Sequence, residues 1–436
     1  MDKKRARPFP LGATPDSTGC NFAVHAPSET DIRLALFDKN NEFVSYTLQS
    51  FGHGVKAIYL EGIETGQHYG FIVPFGDSEI LISDPYAKAL SKPLHYVPPY
   101  TPEKSWVLAK SVVTSPEFDW QGIEPPRRAL EDMILFETHV KGLTKLHPEI
   151  PRAQRGTYHA LASEEMLAFY EKQGINTIQL LPIAACMHEP HLLEKGMANY
   201  WGYNPFVFMA PDPRYADADA VKELKTAIRE LHRNGIEVIL DVVYNHTAEG
   251  GADGPEFNLK KLDPLHYLVH DDHFSNYTGC GNTLDLTHQP TLNLVMDTLR
   301  YWVQEYHIDG FRFDLAATLG RNREHFNHKA SFFQAVRQDP SLRETKLIAE
   351  PWDIGPHGYP VGGFPDGWNE CNDKFLDIIR SFWRGDQGYL KEFATRLMGA
   401  RDIYSCRLST SDASPQYHGF SLLSSTILPH KTTTHT

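Results

Sequence analysis

The hydrophobic pattern changes character once along the chain, near residue 125. Before that point, short apolar runs alternate with polar positions. Asn21-Phe22-Ala23-Val24-His25, Ile32 to Phe37, Ala57 to Leu60 and His68 to Val73 are examples, each bounded by Gly, Pro, Asn or Asp. Regular short strands with turn residues between them predict a small antiparallel β-sandwich over residues 1–125. Residues 90–128 are rich in proline (Pro93, Pro98, Pro99, Pro102, Pro116, Pro125 and Pro126) and read as a connection laid over the surface.

From about residue 130 the period switches between strand and helix. Met133 to Phe136 reads as a strand, Ser163 to Gln173 as a helix stopped by Gly174, and Ile175 to Ile183 as a strand. Asp217 to Asn234 presents Val221, Leu224, Ile228 and Leu231 on one helical face, with Gly235 as its stop. Ile236 to Val243 is almost unbroken apolar, as in a strand buried on both faces. A stripe from Leu292 to Tyr306 predicts the next helix. Strands follow at Gly310 to Phe313 and Lys346 to Ala349, with helices near 328–337 and 373–383. Repeated β-then-α units predict a parallel sheet or a (β/α)8 barrel over residues 126–405.

Charge and composition narrow the picture. The chain has 436 residues and a formal net charge of −13, with 42 Lys+Arg against 55 Asp+Glu. No basic surplus exists to hold a nucleic acid. No stretch of about 18 apolar residues is present to span a membrane. The N-terminus lacks the apolar core of a signal peptide. Five scattered cysteines, none in a C-x-x-C pair, argue against a disulfide framework or a cysteine zinc site. A cytoplasmic protein with reduced thiols is expected.

The polar residues fall where a barrel would use them. Ile239-Leu240 runs into Asp241 and on to Asn245-His246, Phe313 leads into Asp314, and Ile348-Ala349 leads into Glu350. The C-terminal ends of barrel strands converge on the active site. Two carboxylates one βα unit apart, facing a neutral substrate, suit glycoside hydrolysis. One attacks the anomeric carbon and the other donates a proton to the leaving oxygen. Burial and mutual repulsion would keep one of them protonated. Arg312 lies two residues before Asp314 and so on the same strand face, where it can hold Asp314 ionised. Asp241 and His246 can bond sugar hydroxyls. The surplus of aromatics (24 Phe, 20 Tyr and 7 Trp) suits stacking on neutral rings.

DVVYNH (Asp241 to His246), GFRFDLA (Gly310 to Ala316) and AEPWD (Ala349 to Asp353) resemble the first three signature regions of the α-amylase family, glycoside hydrolase family 13. His139 to Leu161, Asn199 to Ala216 and Asn276 to Asp314 are similar to the isoamylase-type debranching members. The stretch PFPLGATPDSTGCNFAVHAPSETDIRLALFD, with SDPYAKAL after it, resembles the family 48 carbohydrate-binding sandwich that precedes them. The resemblance implies Asp314 as nucleophile, Glu350 as general acid and base, and Arg312 as the residue orienting Asp314. It further implies Asp241 and His246 as sugar ligands and Tyr203 as the stacking platform at the cleaved position. The implied reaction is retaining hydrolysis of α-1,6 branch linkages in glycogen, limit dextrin or maltodextrin. Asn245 matches a calcium-ligand position of many α-amylases. Isoamylase-type relatives often do without that ion, so no metal and no cofactor is expected. Other α-glucan hydrolysis (α-1,4 or trehalose-releasing) and an inactive glucan-binding remnant remain open.

The pattern departs from the family after Tyr404, at about residue 405. The fourth signature region carries His-Asp-Gly-Phe, whereas QYHGFSLL places His418 directly before Gly419-Phe420, and Asp412 stands in another context. Only six barrel strands are foreseen, the sixth near Gly367 to Glu370. Residues 406–436 read as an aberrant tail. The expectation is a C-terminally incomplete barrel of low or no activity, with two exposed sheet edges.

Overall fold

The computed structural model describes residues 6–29, 31–95, 99–322, 325–398 and 402–403. The tail, with Asp412 and His418 to Phe420, lies outside the described residues.

Two antiparallel sheets form the N-terminal sandwich. One orders its strands Gly12–Pro15, Gly19–His25, Val55–Glu61 and Gln49–Gly52. The other orders Phe43–Thr47, Arg33–Phe37, His68–Phe75 and Ser78–Ile82. Side-chain alternation puts Phe22, Val24, Ile58 and Leu60 of the first sheet and Leu34, Phe71, Val73 and Ile80 of the second into one core. The proline-rich stretch departs from its reading as a surface connection. Strand Ser111–Val112 pairs with His68–Phe75, and Leu90, Leu94, Leu108, Ala109 and Val113 are buried in the sandwich core. The prolines mark turns between apolar residues that still pack inward.

The sandwich core does not stop at the domain boundary. It continues into Met187, Phe206, Val207, Phe257 and Leu262 of the second unit. The sandwich is thus welded to the barrel by shared apolar burial.

The second unit is a six-stranded parallel sheet in sequence order: Leu135–Thr138, Thr177–Leu180, Glu237–Val242, Gly310–Phe313, Lys346–Ala349 and Trp368–Glu370. Helices lie between the strands. These are six of the eight strands of a (β/α)8 barrel, C-terminally incomplete over the described residues. Local chemistry explains the helix limits. The Ser163 side chain accepts from the Met166 amide at the start of Glu164–Gln173, and Gly174 ends it at φ 70°. Helix Ala220–Arg233 starts three residues later than the periodicity suggests, because Asp219 caps it and the Glu223 carboxylate binds the amides of Asp217, Ala218 and Asp219. Its buried face is Leu224, Ala227, Ile228 and Leu231. Helix Gln289–Tyr306 buries Leu294, Val295, Leu299, Trp302 and Tyr306.

Parallel register sets the height of each strand end. Asp241 pairs with Arg312, and Arg312 with Ile348. One step further, the Asp314 amide donates to the Val242 carbonyl and the Glu350 amide to the Phe313 carbonyl. Asp241, Asp314 and Glu350 therefore leave three adjacent strands at nearly one level.

Candidate active site

The arginine on the fourth strand organises this level. Arg312 Nη1 lies 3.0 Å from Asp241 Oδ1 and 3.4 Å from Asp314 Oδ1, and Nη2 lies 2.8 Å from Glu350 Oε1. A planar guanidinium can reach neighbours on both sides at once, which a lysine cannot. The expected pairing of Arg312 with Asp314 is present, but it is the longest of the three contacts. The fork spans sideways to strands three and five, while Asp314 sits further along its own strand.

Asp314 has a second anchor. The Asn245 side-chain amide donates to its backbone carbonyl at 2.7 Å and to Oδ2 at 2.8 Å. Glu350 Oε2 accepts from the Leu315 amide at 2.8 Å. Leu315 takes a left-handed φ of 42° at this turn. Tyr203 donates its hydroxyl to Asp241 Oδ2 at 2.5 Å. Gly202 before it has φ 92°, and a Cβ there would lie 2.7 Å from the Pro182 carbonyl, so the turn that delivers Tyr203 needs glycine. His246 is buried behind this group. Its Nδ1 contacts Asn245 Oδ1 and its Nε2 lies 3.2 Å from the Tyr203 carbonyl, so both ring nitrogens face protein atoms.

Burial dominates the electrostatics. It raises the Asp241 pKa to about 8, with Arg312 pulling it down and Asp314 pushing it up. Glu350 is raised by burial, lowered by Arg312 and raised again by Asp314. Asp314 is raised by burial, while Arg312, the Asn245 amide and a hydrogen bond with Glu350 pull it back. Burial works against the Arg312 charge, but the surrounding carboxylates more than restore it. Burial lowers His246 to about 4, so the ring is neutral at pH 7. A cluster of three acids and one cation, with the acids held above their usual range, can supply both a protonated and an ionised carboxyl at neutral pH.

Several members of this layer were not legible as such. Glu137 on the first strand accepts from Gln179 on the second at 2.9 Å, and its raised carboxyl feels both Arg312 and Glu350. The family resemblance points to Asn245 only as an ion-ligand position, whereas in the fold it grips Asp314. The only available signal was position, since each of these residues sits at or beside a strand end. Asp353, in the same stretch as Glu350, is spent on a buried two-point pair with Arg321 at 2.7 and 2.8 Å. Around the mouth, Trp201 is 62% exposed beside Tyr203, and Trp352 stacks on Tyr359.

Comparison with known proteins gives the following. Residues 10–87 match the model for carbohydrate-binding module 48, the isoamylase N-terminal domain. Over 429 residues the chain is 41% identical to the glycogen operon protein GlgX homolog of Mycobacterium tuberculosis, covering 91% of this chain and 59% of that protein. It is 40% identical to a glycogen debranching enzyme of Cronobacter sakazakii, covering 91% and 63%. A glycogen debranching enzyme of Erwinia tasmaniensis is 38% identical over 456 residues, covering 99% and 69%. The chain thus spans roughly three-fifths to two-thirds of the length of these relatives. Among solved structures, the pullulanase of Bacillus acidopullulyticus superposes with a TM-score of 0.73 at 23% identity, over 93% of this chain and 51% of that one. The maltotetraose complex of Anoxybacillus sp. LM18-11 pullulanase gives 0.71 at 24%, over 90% and 59%. These two likenesses carry the fold.

Proposed function

Because the chain belongs to the isoamylase-type enzymes of glycoside hydrolase family 13, we propose that it acts as a retaining hydrolase on α-1,6 branch linkages of glycogen or limit dextrin in the cytoplasm. The observation that carries this reading is the single guanidinium of Arg312, which touches the carboxylates of Asp241, Asp314 and Glu350 at three successive strand ends.

In the proposed reaction, Glu350 enters protonated, as its raised pKa favours. It gives that proton to the glycosidic oxygen as the bond to the anomeric carbon breaks. Asp314 attacks the same carbon and forms a glucosyl ester. Asn245 and Arg312 stabilise the ionised form of Asp314 before attack. Glu350, now a carboxylate, takes a proton from water, which displaces Asp314 and regenerates both residues. Asp241 binds the sugar at the cleaved position and Tyr203 stacks on it while its hydroxyl steadies Asp241; His246, expected as a second sugar ligand, instead holds the Tyr203 carbonyl from behind. The exposed Trp201 ring extends the apolar platform for a neutral glucan. The test is reducing-end release from limit dextrin and from linear maltodextrin, against a Glu350→Gln control. Release from limit dextrin alone supports α-1,6 specificity, and no release above the control refutes turnover.

One observation favours a second reading. No aspartate stands between His418 and Gly419, where the family carries a third acid. In that reading the chain binds glucan without cleaving it. Retarded migration in a glycogen-containing gel, with no reducing ends released, would support it.

A further inference from the structure

Twenty-two histidines are scattered through the sequence, and three of them converge outside the catalytic cluster, where the sandwich meets the barrel. His25 ends strand Gly19–His25 of the sandwich. Asp263 and His266 bracket a single turn of 3₁₀ helix in the second unit, Pro264–His266. His288 immediately precedes helix Gln289–Tyr306. Nδ1 of His25 is buried without a hydrogen-bond partner, 3.8 Å from Asp263 Oδ2. The His53 backbone lies beside the other edge of that ring. His266 is 4% exposed, and its ring Nδ1 lies 3.0 Å from Thr291 Oγ1. Asp263 is 2% exposed. Its Oδ1 is engaged by the Leu265 amide, which turns Oδ2 towards the histidines, and His288 Nε2 lies 3.1 Å from that oxygen.

An unpaired buried nitrogen is a cost that a structure normally removes. Here it faces a buried carboxylate oxygen and a second imidazole. One ligand atom from each of His25, Asp263 and His266 lies within 4.8 Å of the others. Two imidazoles and a carboxylate make a donor set suited to zinc-class divalent ions. The supports around them fit as well. His288 holds the carboxylate, as the outer partners of metal ligands do. Both His25 and His266 also line a cleft of about 420 Å³, with Phe9, Phe51, Tyr86 and Asn293 among its walls. That cleft gives an ion a path in and leaves room for a water as fourth ligand.

The geometry points to a zinc-class cation site formed by His25, Asp263 and His266, with His288 positioning the carboxylate, that pins the sandwich to the barrel. Ligand distances of ~2.0–2.1 Å require the three side chains to draw inward by rotamer adjustment. The expectation of no metal rested on cysteine spacing and on Asn245, and neither bears on histidines brought together by the fold.

The full chain, stripped with a chelator, is titrated with Zn²⁺ and with Co²⁺. Bound metal is counted by equilibrium dialysis with elemental analysis. One tight equivalent is expected, with the intense visible bands of four-coordinate Co²⁺ and a melting temperature raised by the ion. His25→Phe and His266→Leu should each lose that equivalent. His288→Gln should keep it at an affinity about 10–100-fold lower. The proposal is overturned if the wild type binds no stoichiometric ion, or if the His25 and His266 variants bind as tightly as it does. Should those variants not fold, the wild-type Co²⁺ spectrum decides, and weak six-coordinate bands would overturn the assignment.

Discussion

Replacing Arg312 by methionine removes one cation from among three buried carboxylates and keeps the approximate volume of the side chain. The three contacts run from 2.8 to 3.4 Å, and Asp241 is fully buried. Breaking a buried ion pair by deleting one partner costs about 3–5 kcal/mol, because the other charge is left unpaired. The loss should depend on pH in a definite direction. Burial raises the Asp241 pKa to about 8 in the fold, against 3.8 for an ordinary aspartate. Between those values the folded chain holds a proton that the unfolded chain has released. The stability this proton gives is therefore complete below about pH 4 and is lost as pH rises towards 8, at about 1.4 kcal/mol per pKa unit. Without Arg312 all three acids move further up, so the variant should lose more stability on the alkaline side than the wild type does. Urea unfolding of both proteins at about pH 5 and about pH 8 measures this. The expected result is a deficit of several kcal/mol at the higher pH that shrinks at the lower. An equal deficit at both would show that Arg312 acts by packing alone and would refute the electrostatic account.

Further substitutions separate roles within the same cluster. Glu350→Gln should abolish release of reducing ends from limit dextrin while leaving glycogen retardation in affinity gels unchanged. Asn245→Ala removes both amide contacts to Asp314, each a hydrogen bond to a charged or backbone acceptor worth about 1–3 kcal/mol. It should lower kcat by roughly 10–100-fold with little change in KM, and a change confined to KM would contradict the assigned role. Trp201→Ala, at an exposed ring, should leave thermal stability within about 0.5 kcal/mol of wild type. It should weaken glycogen retardation, and unchanged migration would remove Trp201 from the glucan platform.

Periodicity was enough to read the alternation of strand and helix, because a buried parallel strand and an amphipathic helix impose different spacings on apolar residues. The three carboxylates were visible for a related reason: each follows directly on an apolar strand and has no partner nearby in sequence. Element limits were less visible. The Asp217–Asn234 segment begins as helix only at Ala220, since the Glu223 carboxylate occupies the amides before it. The 90–113 segment looked like surface because prolines dominate it, yet Leu90, Leu94 and Leu108 are core. Proline excludes a backbone donor, not burial of its neighbours. Arg312 was read along its own strand, and its sideways reach to Asp241 and Glu350 depends on register between strands that are distant in sequence. Glu137 with Gln179, and His25 with Asp263 and His266, were invisible for the same reason. Each pair or triplet is assembled by the fold from residues that mean nothing separately.

Among the described residues, the cluster is held within six strands of the sheet. Asp241, Asp314 and Glu350 stand on the third, fourth and fifth strands, with the second and sixth strands paired outside them. Among the described residues, the hydrogen bonds that fix them come from Tyr203, Asn245, Arg312 or Leu315, or from neighbouring backbone, all within this section. Asp314 and Glu350 should therefore keep their raised pKa values in this chain whether or not it turns over. The sugar-facing side is different. A nucleophile and an acid can be correctly set and still lack the further acid that the family carries beyond His418. Titration of the carboxyl groups by ¹³C NMR, set beside turnover on limit dextrin, distinguishes the two. Raised carboxyl pKa values without turnover would assign the defect to the substrate face, while carboxyls titrating in the ordinary range near 4 would show that the cluster itself depends on contacts beyond these six strands.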